Sequence, residues 1–254
     1  MVQKEKRRGK EVLNGFKPVH IWMLSLAIIN AYLGYNDKYP MILKKYKAIW
    51  KKLQADGINI PDTFIHGVPK SNDFFNNTLE FMINCFQIYN KEDFLAKVTI
   101  EIENSPIFQT YTKRRSILMA LPIHERVGFI TNNDEVFGFI NHYEPSLTPA
   151  GILGYEISTR VQMCRLAYYM GYIGRDELFR YIQPYAVLAQ KNFNSFREYG
   201  LSCITGLLFF LEFFNSRNLR YISESTLIKL LHWLLNARES PWTNLPWNIA
   251  IQDL

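Results

Sequence analysis

Apolar residues recur at helical spacing along most of the chain. Ile42, Tyr46, Ile49 and Leu53 fall at i, i+4, i+7 and i+11, with Lys44, Lys47 and Lys51 on the other side. Phe75, Leu79, Met82, Phe86 and Tyr89 keep the same period over four turns, opposite Asn76, Glu80, Asn84 and Gln87. Asn90, followed by Asp93, reads as the start of a shorter helix that Ser105-Pro106 ends. Thr148-Pro149 reads as N-cap and first residue of the next one, with Ile157, Val161, Cys164 and Tyr168 on one face and a stop at Gly171. Leu178, Ile182, Tyr185, Ala189 and Phe193 mark a helix from about Gly174, which Pro184 is expected to kink or split. Ser195 and Glu198 fit a capping box. The helix they open, through Phe214, is apolar nearly all round, which predicts a place at the centre of a bundle. A last helix is predicted from about Glu224 to Asn236.

Three stretches depart from this pattern. Val127–Ile130 and Val136–Ile140 flank Thr131-Asn132-Asn133-Asp134-Glu135, which suggests a small β-hairpin, although Gly128 and Gly138 weigh against it. Val19 to Tyr35 is apolar and follows five basic residues between Lys4 and Lys10, the order of a signal anchor. His20, Ser25 and Asn30 interrupt it, and at about 17 residues it falls short of the roughly 20 a membrane span needs, so a buried helix is predicted. Pro241-Trp242 and Pro246-Trp247 exclude a regular helix at the C-terminus and predict a strap across the bundle. The expected fold class is mainly α: a single compact multi-helix bundle over 18–254, one small β-hairpin near 127–140, and a flexible basic arm over 1–17.

Composition changes this picture little. With 254 residues, 48% apolar and 20% charged, the chain is an ordinary globular protein, and wholesale disorder is excluded. The net charge of +6 is uneven. Residues 1–52 hold twelve Lys/Arg and three Asp/Glu, leaving seventeen and twenty for the remainder. A basic end of this kind can meet nucleic acid, anionic lipid or an acidic partner, or serve as a solvated face. Cys85, Cys164 and Cys203 each sit among apolar residues, outside any Cys-x-x-Cys pair, and read as core in a reducing cytosol.

Candidate chemistry is sparse. Glu156 and Arg160 are four apart with Glu first, the favourable order for a helical ion pair. With Arg165, Tyr155, Tyr168 and Tyr172 they could line a pocket for an anionic ligand, or tie the helix to its neighbours. His124-Glu125 and His142-x-Glu144 flank the suspected hairpin and would converge if it folded back, but their spacing matches no recognised metal motif. No Gly-x-Ser-x-Gly, phosphate-binding loop or Gly-x-Gly-x-x-Gly is present. No catalytic residue, metal or cofactor is therefore assigned. Trp242 and Trp247 complete the candidate binding set, because Trp is over-represented in interface hot spots.

Arg-Leu-Ala-Tyr-Tyr-Met-Gly-Tyr-Ile at 165–173, Phe193–Phe196, and Ser-Pro-Trp…Leu-Pro-Trp at 240–247 resemble the bacterial domain of unknown function 1266 family over roughly 150–250. Phe196 departs from the Trp that many members carry there. The resemblance implies a bacterial, cytoplasmic, α-helical protein and transfers no catalytic residue. The leading expectation is a non-enzymatic module that binds another protein, with an immunity-type protein neutralising a bacterial toxin as its specific version. The alternatives are a small-ligand binder or enzyme using the Arg/Glu/Tyr pocket, and a basic-surface binder of nucleic acid or membrane. The last has no stacking-aromatic platform behind it.

Overall fold

The computed structural model describes residues 17–33, 82–83, 86–132, 134–214, 223–238 and 240–251. The arm, except Lys17, the helix read at 42–53, most of the one read at 75–89, and Cys85 lie outside the described residues.

The chain enters through α1 (Pro18–Ser25) and α2 (Ile28–Leu33), the predicted buried segment broken at Leu26–Ala27. Trp22, Met23, Leu24, Leu26, Ala27, Ile28 and Ile29 are all buried. The break frees carbonyls that other elements take. Ser25 O accepts the indole N–H of Trp242 (3.3 Å), and Leu26 O accepts the Tyr199 hydroxyl (2.8 Å). A buried helix end needs such partners.

Helix α3 (Lys91–Val98) is capped as predicted: Asn90 Oδ1 accepts the Asp93 N–H at 2.8 Å, and Asp93 Oδ2 accepts that of Tyr89 at 3.0 Å. A 3-10 turn (Ile102–Asn104) leads to α4 (Pro106–Ala120). Helix α3 ends at Val98, well before the stop read at Ser105-Pro106, which instead opens the long α4 with Pro at N1, where its missing N–H costs nothing.

The hairpin is not formed. Its two halves lie in α5 (Ile123–Thr131) and α6 (Glu135–Tyr143). Val136, Phe137, Phe139 and Ile140 are all buried, at i, i+1, i+3 and i+4, which is a helical face; alternation would have put Gly138 between Val136 and Ile140 on one side. Asp134 caps α6 by accepting the Val136 N–H (2.9 Å), so the Asn/Asp cluster separates two helices.

A turn at 148–151, with Gly151 at φ +55°, precedes α7 (Leu153–Tyr169), which therefore begins after the Thr148-Pro149 start read from the sequence. Gly171 ends α7 in the left-handed region (φ +77°), with Tyr172 N–H to Ala167 O at 2.9 Å and Gly171 N–H to Tyr168 O at 3.1 Å, a Schellman cap. Helix α8 (Arg175–Asn192) starts where expected and is not split. Pro184 lies on its exposed side, where water can solvate the carbonyl it leaves unbonded. Ser195 caps α9 (Phe196–Phe213), and Ser223 caps α10 (Glu224–Asn236). Pro241–Asn244 forms one turn, α11, which corrects the expectation of a wholly irregular strap.

Helix α7 is the axis. It packs on α9 and α8 and touches α1, α2 and α3. One core cluster gathers these elements with α10 and α11. A second, smaller one joins α4 and α6 to the outer end of α9 through Tyr111, Leu118, Phe137, Phe139, Ile140 and Phe209. Every regular element among the described residues is a helix, and none of these helices is long and apolar enough to cross a membrane.

Candidate functional site

Tyr155, Glu156, Arg160 and Arg165 are all buried on α7. Glu156, 2% exposed, accepts Ser105 Oγ at 2.6 Å on one oxygen and Arg160 Nη1 at 2.7 Å on the other. Arg160 also donates to Ile100 O at 3.4 Å, so the pair fastens α7 to the segment between α3 and α4. Burial pushes the Glu156 carboxyl above its ordinary value, while Ser105 and Arg160 pull it back. Arg165 bonds Gln162 (3.3 Å), one turn from that pair. Tyr168 is half-buried beyond it. Tyr172 lies past the helix end and donates to Tyr89 O at 3.1 Å. Glu156 and Arg160 thus bond each other and the 100–105 segment, whereas Arg165 bonds Gln162 on its own helix and Tyr172 bonds Tyr89 O.

Trp242 and Trp247 face the protein's own core. Trp242 stacks on Phe196, centroids 5.0 Å apart at 13°. Trp247 packs edge-on to Phe196 at 4.9 Å, lies 5.1 Å from Trp22, and donates its indole N–H to Phe193 O at 2.7 Å. Gln190 donates to both Trp247 O and Ile249 O, pinning the strap to α8.

The two His/acid pairs are separate. His124 Nε2 meets its neighbour Glu125, at 3.6 Å. His142 packs against Tyr143, and Glu144 is taken by Arg115. No group of three or more His, Cys, Asp or Glu among the described residues is arranged to hold a metal. Cys164 and Cys203 are free and fully buried, and burial raises both thiols, which suits core packing rather than nucleophilic work.

Two features were not visible in the sequence. One is a cavity of about 310 Å³ between α4, the 149–151 turn and the last turn of α8. Arg115 stands at its edge, bonded to both Glu144 oxygens through Nε (2.8 Å) and to Pro149 O through Nη1 (2.9 Å), with Tyr111 OH also on Glu144 (3.4 Å). The residues that shape it come from three distant parts of the chain, so no local pattern could reveal it. The other is the outer face of α5, which buries no side chain. Ile123 and Val127 are 78% and 69% exposed, and Ile117 of α4 is 43% exposed. Gly128 follows Val127 in the helix, with nothing within 4 Å of where a Cβ would stand. The strand reading of Val127–Ile130 hid the i, i+4 pairing of Val127 with Ile123, which lies outside that run.

A family model described as "Protein of unknown function (DUF1266)" matches residues 70–247. The chain belongs to that family. The match reaches well upstream of the segment whose motifs carried the resemblance, and takes in α3 to α6 as well as the α7–α9 core. No curated protein and no solved structure matches the chain.

Proposed function

We propose that this chain is a protein-binding module that docks a partner through the α5 face. The observation that supports this is a helix that packs on the core only through the partly buried Phe129 and Ile130, buries no side chain fully, and leaves Ile123 and Val127 exposed one turn apart. Gly inside a helix costs about 1 kcal/mol relative to Ala. Among the described residues, nothing comes within 4 Å of the space Gly128 leaves. Two branched apolar side chains one turn apart, on a helix that also carries a bare stretch of backbone, suit a partner with an apolar surface of its own. The α7 set, by contrast, spends its charges internally. In the narrower version the partner is a toxin held inactive by an immunity-type protein. A cytoplasmic setting belongs to the same reading, in keeping with free, buried cysteines.

The test places a photo-crosslinking amino acid at position 127 and, as controls, at the exposed Val187 and Ile228 on other helices. In cells of the source organism, position 127 should give a discrete adduct that the controls lack and that Ile123→Asp abolishes. Equal labelling at all three positions would refute the docking face. If the captured protein's own activity is not suppressed on mixing with the purified chain, the immunity version falls while the docking face stands.

A further inference from the structure

We propose that the cavity between α4 and α8 is a binding site for a small zwitterion with an apolar body, of the class of a free apolar amino acid. This is independent of the α5 face. At about 310 Å³ the cavity is at the small end of the range for ligand clefts. Its wall is fixed in place. Arg115 is clamped by Glu144 and by Pro149 O, and Ser202 Oγ ties the turn to α7 by donating to Gly151 O (2.6 Å) while accepting Gly154 N–H (2.8 Å). Gly151 is required there twice over: its φ is +55°, and a Cβ would lie 3.1 Å from the Tyr111 ring. Such a wall needs no reorganisation to receive a ligand, which is what makes a small site effective.

The chemistry of the lining sets the ligand class. The Arg115–Glu144 pair is internally neutral. Two further charges line the cavity, Glu103 from the 3-10 turn and Lys191 from the last turn of α8, and neither forms an ion pair with the other or with any other described residue. Phe108 and Leu188 supply an apolar surface beside them. One uncommitted anion and one uncommitted cation, with an apolar surface between helices, complement a molecule carrying an ammonium, a carboxylate and a hydrocarbon group. A simple anion would find Glu103 repulsive, and a simple amine would find Lys191 so.

Isothermal titration of the full chain with L-phenylalanine and L-leucine tests this, with 3-phenylpropanoate and phenethylamine as single-charge controls. At least one amino acid should bind saturably with Kd of about 1 mM or tighter. Removing either ligand charge, or making Glu103→Gln or Lys191→Gln at these exposed positions, should weaken binding about tenfold. Thr112→Trp, on the exposed rim, fills the cavity and should abolish it. Absence of saturable binding by either amino acid, equal binding of the single-charge controls, or binding unchanged by Thr112→Trp would each overturn the proposal.

Discussion

Helices α9 and α5 each carry glycine inside the helix, in opposite surroundings. In α9, a Cβ on Gly206 would lie 2.3 Å from Tyr155 Cβ and 3.1 Å from Ile152 Cβ of the preceding segment and α7. Across the same interface, a Cβ on Gly154 would lie 2.8 Å from Tyr199 O. These glycines let two helix backbones approach closely, and their helix-propensity cost is offset by packing. In α5, Gly128 has open space and no such return. The same residue type is a structural requirement in the α7–α9 core and an unexplained cost at the α4–α6 corner. The ion pairs divide the same way. Glu156–Arg160 is buried at 2.7 Å, whereas Arg114–Asp134, at 2.9 Å, is partly open to water.

The largest effect should come from breaking the buried pair. Arg160→Met leaves the Glu156 carboxylate in the core with the Ser105 hydroxyl still donating to it but no cation beside it, at a cost of about 3–5 kcal/mol. Glu156→Gln on that background should recover much of the loss, because no unpaired charge remains. Denaturant unfolding followed by tryptophan fluorescence measures both. A loss under 1 kcal/mol for Arg160→Met would mean that the charges are solvated and that α7 is not the axis of the core.

Next comes one substitution made twice. Gly206→Ala should destabilise by about 3 kcal/mol, since the new methyl meets the stem of Tyr155 rather than a flexible tip. Gly128→Ala should stabilise by about 0.5–1 kcal/mol, as an ordinary propensity gain on an open helix face. The difference in sign sharpens the contrast between the two regions. If both variants lose stability, the α5 surface is covered by something in the free protein, and the docking face is not available as drawn.

This division also governs what could be read in the sequence. The α8–α10 helices were legible because long apolar periodicity runs through them: Ser195 caps where it was expected to, and Glu224–Asn236 has the predicted bounds, with Ser223 as a cap the periodicity did not name. The α5–α6 stretch was not, because helices of nine residues carry too few turns to separate a period of 3.6 from one of 2. The break at Leu26 depends on the Tyr199 hydroxyl and the Trp242 indole, more than 170 positions away, and no local pattern encodes that. For the site, the closure of Glu156 on Arg160 followed from their spacing, but Ser105 as the third member did not. The pairing of Trp242 with Phe196 shows the strap to be part of the core, and the cavity beside Arg115 exists through tertiary packing alone.

The exposed pair supplies the smaller counterpart to Arg160→Met. Arg114→Ala should cost about 0.5 kcal/mol or less, and that loss should shrink further in high salt, since a solvated pair is screened. Asp134 itself caps α6, so its own replacement would mix two effects and is the poorer probe.

The last contrast is read as a slope in pH. His20 stacks on Phe179 of α8 (centroids 4.1 Å apart), and its Nδ1 accepts the Lys17 N–H at 3.1 Å. Burial first, then the charges of Arg175 and Lys17, hold the imidazole below its ordinary value. The unfolded chain therefore binds a proton near pH 6.5 that the folded chain still refuses. Stability from this group is complete above that pH and is lost as pH falls toward the lower folded value, because protonation there draws the equilibrium to the unfolded side. Unfolding free energy should therefore fall more steeply between pH 7 and 5 in the parent than in His20→Gln, after correction for the variant's baseline at pH 7.5. Parallel profiles would mean that the ring titrates as freely in the folded chain as in the unfolded one, and that α1 is not packed against α8 as its stacking on Phe179 requires.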